Sequence, residues 1–207
     1  VFIYESFHIF GLDFSAMGIS KLKKKIHNLF PIQSRFEMHE AYTEFWANML
    51  NCLFCSYRLL DDKKDIKTFL QYSDFFLRLE KIFSLFQMIK ILKFMGCHYT
   101  NLYNSDDSSV LVRKCLYKED TNVFPYYIAK TILLYNNASF ISWCKRENTN
   151  ILNFNNKEES TLAFFDFIRE KYDNKHMLKD INNMGKFIDK LNDKILLETL
   201  RMTIIEI

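Results

Sequence analysis

Three side chains near the start of the chain have the types and the spacing to bind a metal ion or to move a proton. Tyr4 and His8 are four positions apart, and Glu5 follows Tyr4 directly. On an α-helix, Tyr4 and His8 lie one turn apart on one face, with Glu5 beside them. A phenol, a carboxylate and an imidazole would then project from one short helix.

Two further carboxylates have helical spacing. Glu40 and Glu44 fall within a run from Glu37 to Ala47 that continues as a long apolar-periodic segment, so both acids would project from one face of a second helix. The interval of about thirty residues between His8 and Glu40 can be spanned by a loop and a short helix. The connection is therefore long enough for the two helices to lie side by side.

Residues 2–47 resemble the metal site of gluzincin-type zinc peptidases, of which thermolysin is the best known. The first run matches the H-E-x-x-H helix with Tyr4 in place of its first histidine, and Glu40 and Glu44 match the glutamate and the acid of the second helix. In the intact motif two imidazoles bind zinc and the glutamate is the general base for the metal-bound water.

The resemblance implies a role for each of these residues. His8, Glu40 and Tyr4 would be the zinc ligands, and Glu5 would be the general base. Glu44 would be the outer acid that receives the free N–H of a ligand histidine. Zinc is the implied cofactor, and a peptide or protein is the implied substrate or partner.

Tyr4 is the main departure from the motif. Phenol has a reference pKa near 10, so ionising Tyr4 at pH 7 for coordination would need roughly 4 kcal/mol from the metal. Without Tyr4, two protein ligands would hold zinc weakly. The simpler interpretation is a degenerate site in a protein that kept the fold and lost the reaction.

The resemblance also implies an oxyanion donor from a later segment. In peptidases of this type a tyrosine or a histidine supplies it, which makes Tyr126, Tyr127 and His98 candidates. No spacing rule selects among them. A different class of function is left open as well: an all-helical interaction module whose aromatic faces bind a partner protein, with Glu5 and Glu44 as ordinary surface acids.

Composition indicates a mainly α fold. The 207 residues include only 4 glycines and 2 prolines, but 21 phenylalanines. Few turn formers and many bulky apolar residues favour packed amphipathic helices with brief connections. We expect one domain over residues 1–207, with site helices at 2–11 and 37–60 and a helical remainder at 61–207. It would resemble the helical lobe of a gluzincin peptidase, whose N-terminal lobe would have to precede this sequence.

The net charge and the cysteines indicate which classes of binding partner and which cellular compartment to expect. A net charge of +3 is too weakly basic to favour nucleic acid. No window of about twenty residues is free of charge, so no membrane span is expected. The five cysteines are odd in number and lie in or beside apolar segments. Free thiols in a reducing, cytoplasmic setting are the simpler interpretation, and core packing is favoured over a metal pair for Cys52 and Cys55.

Overall fold

The computed structural model describes residues 2–205, and over that range the chain is helical with no β-strand. The expectation of a mainly α fold is confirmed. The helices are α1 (Phe2–Ile9), α2 (Ser20–Leu29), α3 (His39–Arg58), α4 (Ile66–Phe94), α5 (Asp107–Cys115), α6 (Lys130–Tyr135), α7 (Asn137–Glu147), α8 (Glu158–Lys171), α9 (Lys175–Ile188) and α10 (Lys194–Glu198).

Helices α3 and α4 pack against each other as a long helical hairpin. Asp65 caps the start of α4 by accepting the Thr68 N–H at 3.0 Å. Gly96 ends it with a positive φ of 70°, and the Cys97 N–H bonds the Leu92 carbonyl at 2.8 Å. This is a Schellman ending, which requires the left-handed conformation that glycine adopts freely.

Helix α1 packs on α3 and ends in a second Schellman turn. Gly11 has a φ of 59°, its N–H bonds the His8 carbonyl at 3.1 Å, and the Leu12 N–H bonds the Phe7 carbonyl at 2.9 Å. Gly11 therefore caps this helix, and α1 ends at Ile9 rather than at residue 11 as expected. This Schellman turn reverses the direction of the chain after α1, which places Asp13 beside His8.

Aromatic packing holds α1 against α3 and against the C-terminal helices. Phe7 lies edge-on to Tyr42 of α3, with ring centroids 6.4 Å apart. The Tyr42 hydroxyl donates to the Leu152 carbonyl at 2.9 Å, which ties α3 to the loop before α8. The fully buried rings around this point include Phe14, Tyr42, Phe45, Phe140, Phe154 and Phe164. These rings belong to one continuous core.

A turn of π-helix at Phe124–Ala129 leads into α6. The Lys130 N–H bonds the carbonyl of Pro125, five residues earlier, whereas an α-helix would use the carbonyl four residues earlier. The π turn and α6 pack against both α3 and α4, and π turns are frequent at functional sites.

The longest helix, α4, has 29 residues, and polar and charged side chains are interspersed among its apolar ones. Glu80 and Lys90 lie on it, and both are buried. Among residues 2–205, no helix combines the length and the apolar composition that crossing a bilayer needs.

Candidate functional site

Side chains of α1 and α3 converge on the carboxylate of Glu40. The Tyr4 hydroxyl donates a hydrogen bond to Oε2 of Glu40. Nε2 of His8 lies 3.8 Å from the same oxygen. The structure therefore brings together Tyr4, His8 and Glu40, the three side chains that the sequence assigned to a metal.

His8 is held in place by a buried carboxylate. Its Nδ1 lies 2.5 Å from Oδ2 of Asp13, whose side chain is buried. The Thr43 hydroxyl donates to the same oxygen at 3.1 Å, and the Ser15 N–H donates to Oδ1 at 2.9 Å. Because Nδ1 faces Asp13, Nε2 is the nitrogen that faces Glu40.

Asp13 thus makes the contact that the sequence assigned to Glu44. Among the described residues, no hydrogen bond or ion pair joins Glu44 to His8. Glu44 is buried one turn further along α3, where burial raises its pKa and the nearby Lys130 opposes that rise. It is therefore neither the partner of His8 nor, as the alternative function supposed, an ordinary surface acid.

His39 is a member of the cluster that the sequence did not suggest as a site residue. Its Nε2 lies 3.6 Å from Oε1 of Glu40, and its ring centroid is 5.7 Å from that of His8. Burial lowers the pKa of His39, and the nearby Glu40 and Asp13 partly oppose the change. Its position immediately before Glu40 in the sequence was the available signal.

Of the three oxyanion candidates, only Tyr126 reaches the cluster. Its hydroxyl lies 3.1 Å from the hydroxyl of Tyr4. The next residue, Tyr127, is buried beneath the ammonium of Lys130, which lies 5.8 Å from its ring centroid. His98 begins a 3₁₀ turn, where its N–H bonds the side chain of Asn101 at 2.7 Å.

Glu5, the residue assigned as general base, lies on the exposed side of α1. It makes no hydrogen bond or ion pair with Tyr4, His8 or Glu40 within residues 2–205. Glu5 is close to Tyr4 and His8 in the sequence, but its carboxylate takes no part in the hydrogen bonds and ion pairs around Glu40.

The chemistry of the donor set decides whether the cluster fits zinc. Burial raises the pKa of Tyr4 far above its usual value, and the hydrogen bond to Glu40 raises it further. A phenol in this setting keeps its proton, so it donates to Glu40 and is not an anionic ligand. No group of three or more His, Cys, Asp and Glu side chains within residues 2–205 is placed to share an ion. The cluster as built does not fit a three-ligand zinc site.

Comparison with known proteins adds no assignment. No protein-family model, curated protein or solved structure matches the chain. The functional argument therefore depends on the geometry of this cluster.

Proposed function

We propose that this chain is a gluzincin-like peptidase domain that has lost catalysis, with a hydrogen-bonded network in place of the metal. The observation that carries the proposal is the convergence of Tyr4 and His8 on one oxygen of Glu40. The geometry supports the resemblance because residues from two helices meet at one point in the order that a gluzincin site would require.

The replacement has a simple physical basis. In a zinc site, the positive ion would compensate the carboxylate of Glu40 and bridge the two helices. Here the Tyr4 hydroxyl supplies a proton donor to that carboxylate, with the Tyr126 hydroxyl 3.1 Å behind it. The network joins α1, α3 and the π turn without an ion, and Glu5 then has no metal-bound water to deprotonate.

Zinc titration of the Tyr4→His variant tests this proposal. Restoring the missing imidazole should raise the zinc affinity at least about 100-fold over the wild type, since even changes to outer contacts alter it by about 10- to 100-fold. Tyr4→Phe is the matched control, because it removes the hydroxyl without adding a ligand. Adding Glu40→Gln to Tyr4→His should abolish the gain. A Tyr4→His protein that binds zinc no better than Tyr4→Phe would refute the kinship.

One observation favours the second candidate, an all-helical protein-interaction module. Helix α4 presents Tyr72, Phe75 and Ile82 to solvent, with exposed fractions of 37%, 57% and 53%. With Leu79 they have the three- and four-residue spacing of a helix-pairing stripe. Sedimentation of the wild type against a Phe75→Ser, Ile82→Ser double variant tests whether a second copy supplies the pairing helix. Concentration-dependent dimers lost in the variant would support it.

The thiols support a reducing location, for which we propose the cytoplasm. All five cysteines are free, and three of them (Cys52, Cys97 and Cys144) are buried. Burial raises the pKa of each of these three thiols, which keeps them protonated and unreactive. They behave as packing residues, and Cys52 and Cys55 do not form part of a metal group within the described chain.

A further inference from the structure

A cavity of about 340 Å³ lies between the C-terminal half of α4, the 3₁₀ turn at Tyr99–Leu102 and α9. It shares no lining residue with the cluster around Glu40. Its volume falls in the range of about 300 to 1,000 Å³ that is usual for small-molecule sites. The cavity is therefore large enough for a small ligand, and its lining indicates which kind.

The walls of the cavity are apolar stripes of the two helices. Helix α4 contributes Ile89 and Leu92, which are three residues apart, and α9 contributes Leu178 and Ile181 with the same spacing. Ile89 and Leu92 are buried, and Leu178 and Ile181 are partly buried against the same core. Walls of this kind favour the hydrocarbon part of a ligand, because removing apolar surface from water is favourable.

Gly185 leaves room in the wall that α9 provides. Its backbone conformation does not require glycine, because its φ is not positive. Close packing does not require glycine either, since a Cβ added here would make an ordinary contact with Cε of Lys93, at 3.9 Å. Inside a helix, glycine is less favourable than any residue except proline. The space that the missing side chain leaves is part of the cavity.

Basic groups outnumber acids among the described residues that line the cavity. Lys93, Lys186 and His98 are present, and Asp189 is the one acid. The Lys93 ammonium donates to Oδ1 of Asp189. The two side chains are 28% and 66% exposed, and ion pairs as exposed as this contribute little to stability. Lys93 thus already binds a carboxylate beside the cavity, and another carboxylate can replace it at little cost.

We propose that this cavity binds a small monocarboxylic acid with an apolar chain. The carboxylate of the ligand replaces that of Asp189 on Lys93, and Lys186 adds to the positive charge. The apolar chain lies between the walls of α4 and α9, in the space beside Gly185. The ammonium group selects an acid over an alcohol, and the walls select a longer chain over a short one. The site does not involve Glu40, so it does not rest on the proposed function.

Nuclear magnetic resonance of the full chain tests the site, with hexanoate as the probe. We expect hexanoate to shift the amide resonance of Gly185 saturably. Hexanol has the chain without the charge and should bind at least about tenfold more weakly. Acetate has the charge without the chain and should also bind at least about tenfold more weakly. No saturable shift with hexanoate, or equal binding by hexanol or acetate, would overturn the proposal.

Three variants test the residues that would bind the acid. Gly185→Leu should abolish binding by filling the cavity, and leucine favours the helix more than glycine does. Lys93→Met should weaken hexanoate about tenfold and leave hexanol unchanged. Asp189→Asn should strengthen hexanoate at least about twofold, because it removes the competing carboxylate. Lys179→Met, on α9 but outside the cavity lining, is the matched control and should change neither affinity.

Two results with these variants would contradict the site. Hexanoate that binds Gly185→Leu as tightly as the wild type would bind elsewhere. Unchanged or weaker binding to Asp189→Asn would mean that the ligand does not compete for Lys93, whether or not the Gly185 variant folds. All of these measurements are made without zinc, so they succeed or fail separately from the Tyr4→His titration.

Discussion

The Tyr4 hydroxyl donates to Oε2 of Glu40, and these two residues are 36 positions apart in the sequence. The bond joins α1 to α3 at the point where a gluzincin-like site would hold its ion. Nε2 of His8, 3.8 Å from the same oxygen, completes the junction. The network gives the two helices a link that requires no ion.

Removing the Tyr4 hydroxyl should destabilise the fold. Tyr4→Phe removes the hydroxyl that donates to the buried carboxylate of Glu40. Hydrogen bonds to charged groups contribute about 1.5 to 3 kcal/mol to the free energy of unfolding. We expect the free energy of unfolding in urea to fall by about 1.5 kcal/mol. Tyr126→Phe, which removes a hydroxyl that contacts Tyr4, is the control and should cost less. Equal losses would mean that the bond to Glu40 has no special weight.

Asp13 should govern zinc affinity once a ligand is restored. In the Tyr4→His background, Asp13→Asn disturbs the carboxylate that orients His8, and such outer changes typically cost about 10- to 100-fold in metal affinity. Glu44→Gln is the matched comparison, since Glu44 has no contact with His8 among the described residues. Isothermal titration with zinc should separate them. A larger effect from Glu44→Gln would favour the role that the sequence assigned to that residue.

His39 should make stability depend on pH in a defined direction. Burial lowers its pKa from the usual 6.5, so the folded protein binds a proton there less readily than the unfolded chain does. Its contribution is present above pH 6.5 and is lost as the pH falls below that value towards the lowered pKa.

Comparison with His39→Gln isolates this contribution. We expect the wild type to lose stability relative to His39→Gln between about pH 7.5 and about pH 5.5, as measured by urea unfolding. Glu40, Asp13, His8 and Glu37 act on His39 in both directions, but burial is the largest effect. A difference between the two proteins that stays constant with pH, or that moves the other way, would contradict the buried neutral imidazole.

Substitution of Lys130 should lower the stability of the fold more than substitution of an exposed lysine. It lies between α3 and α4, where Glu44 and Glu80 act on it electrostatically and the carbonyl of Met202 accepts its hydrogen bond. Lys130→Met leaves buried carboxyl groups without their cation, which typically costs about 3 to 5 kcal/mol. Lys67→Met, on the exposed start of α4, should change stability by less than about 0.5 kcal/mol. Similar effects from both would show that the buried charge is not coupled to the fold.

Local sequence rules account for two helix ends and predicted one half of the cluster. Gly11 and Gly96 end their helices because a left-handed helix ending favours glycine. The proximity of Tyr4 and His8 was predictable because four-residue spacing places side chains on one helical face. The convergence of His8 on Glu40 followed from the resemblance to a known site and not from either helix alone.

The remaining features depend on tertiary packing, which spacing rules do not contain. Asp13 reaches His8 only because the turn at Gly11 reverses the chain, and its carboxylate accepts a hydrogen bond from Thr43 of α3. Glu44 has the spacing of a solvated acid but is buried, with Lys130 of α6 near it. The π turn that carries Tyr126 differs from an α-helix by one residue in its hydrogen bonding, which no side-chain pattern in this sequence signals.

A crystal structure of the wild-type chain grown with excess zinc tests the central claim most directly. We expect the Tyr4 hydroxyl within hydrogen-bonding distance of the Glu40 carboxylate, with no ion between Glu40 and His8. A zinc ion about 2.0 to 2.2 Å from both Nε2 of His8 and an oxygen of Glu40 would contradict the account, because the site would then be a metal centre in the natural sequence.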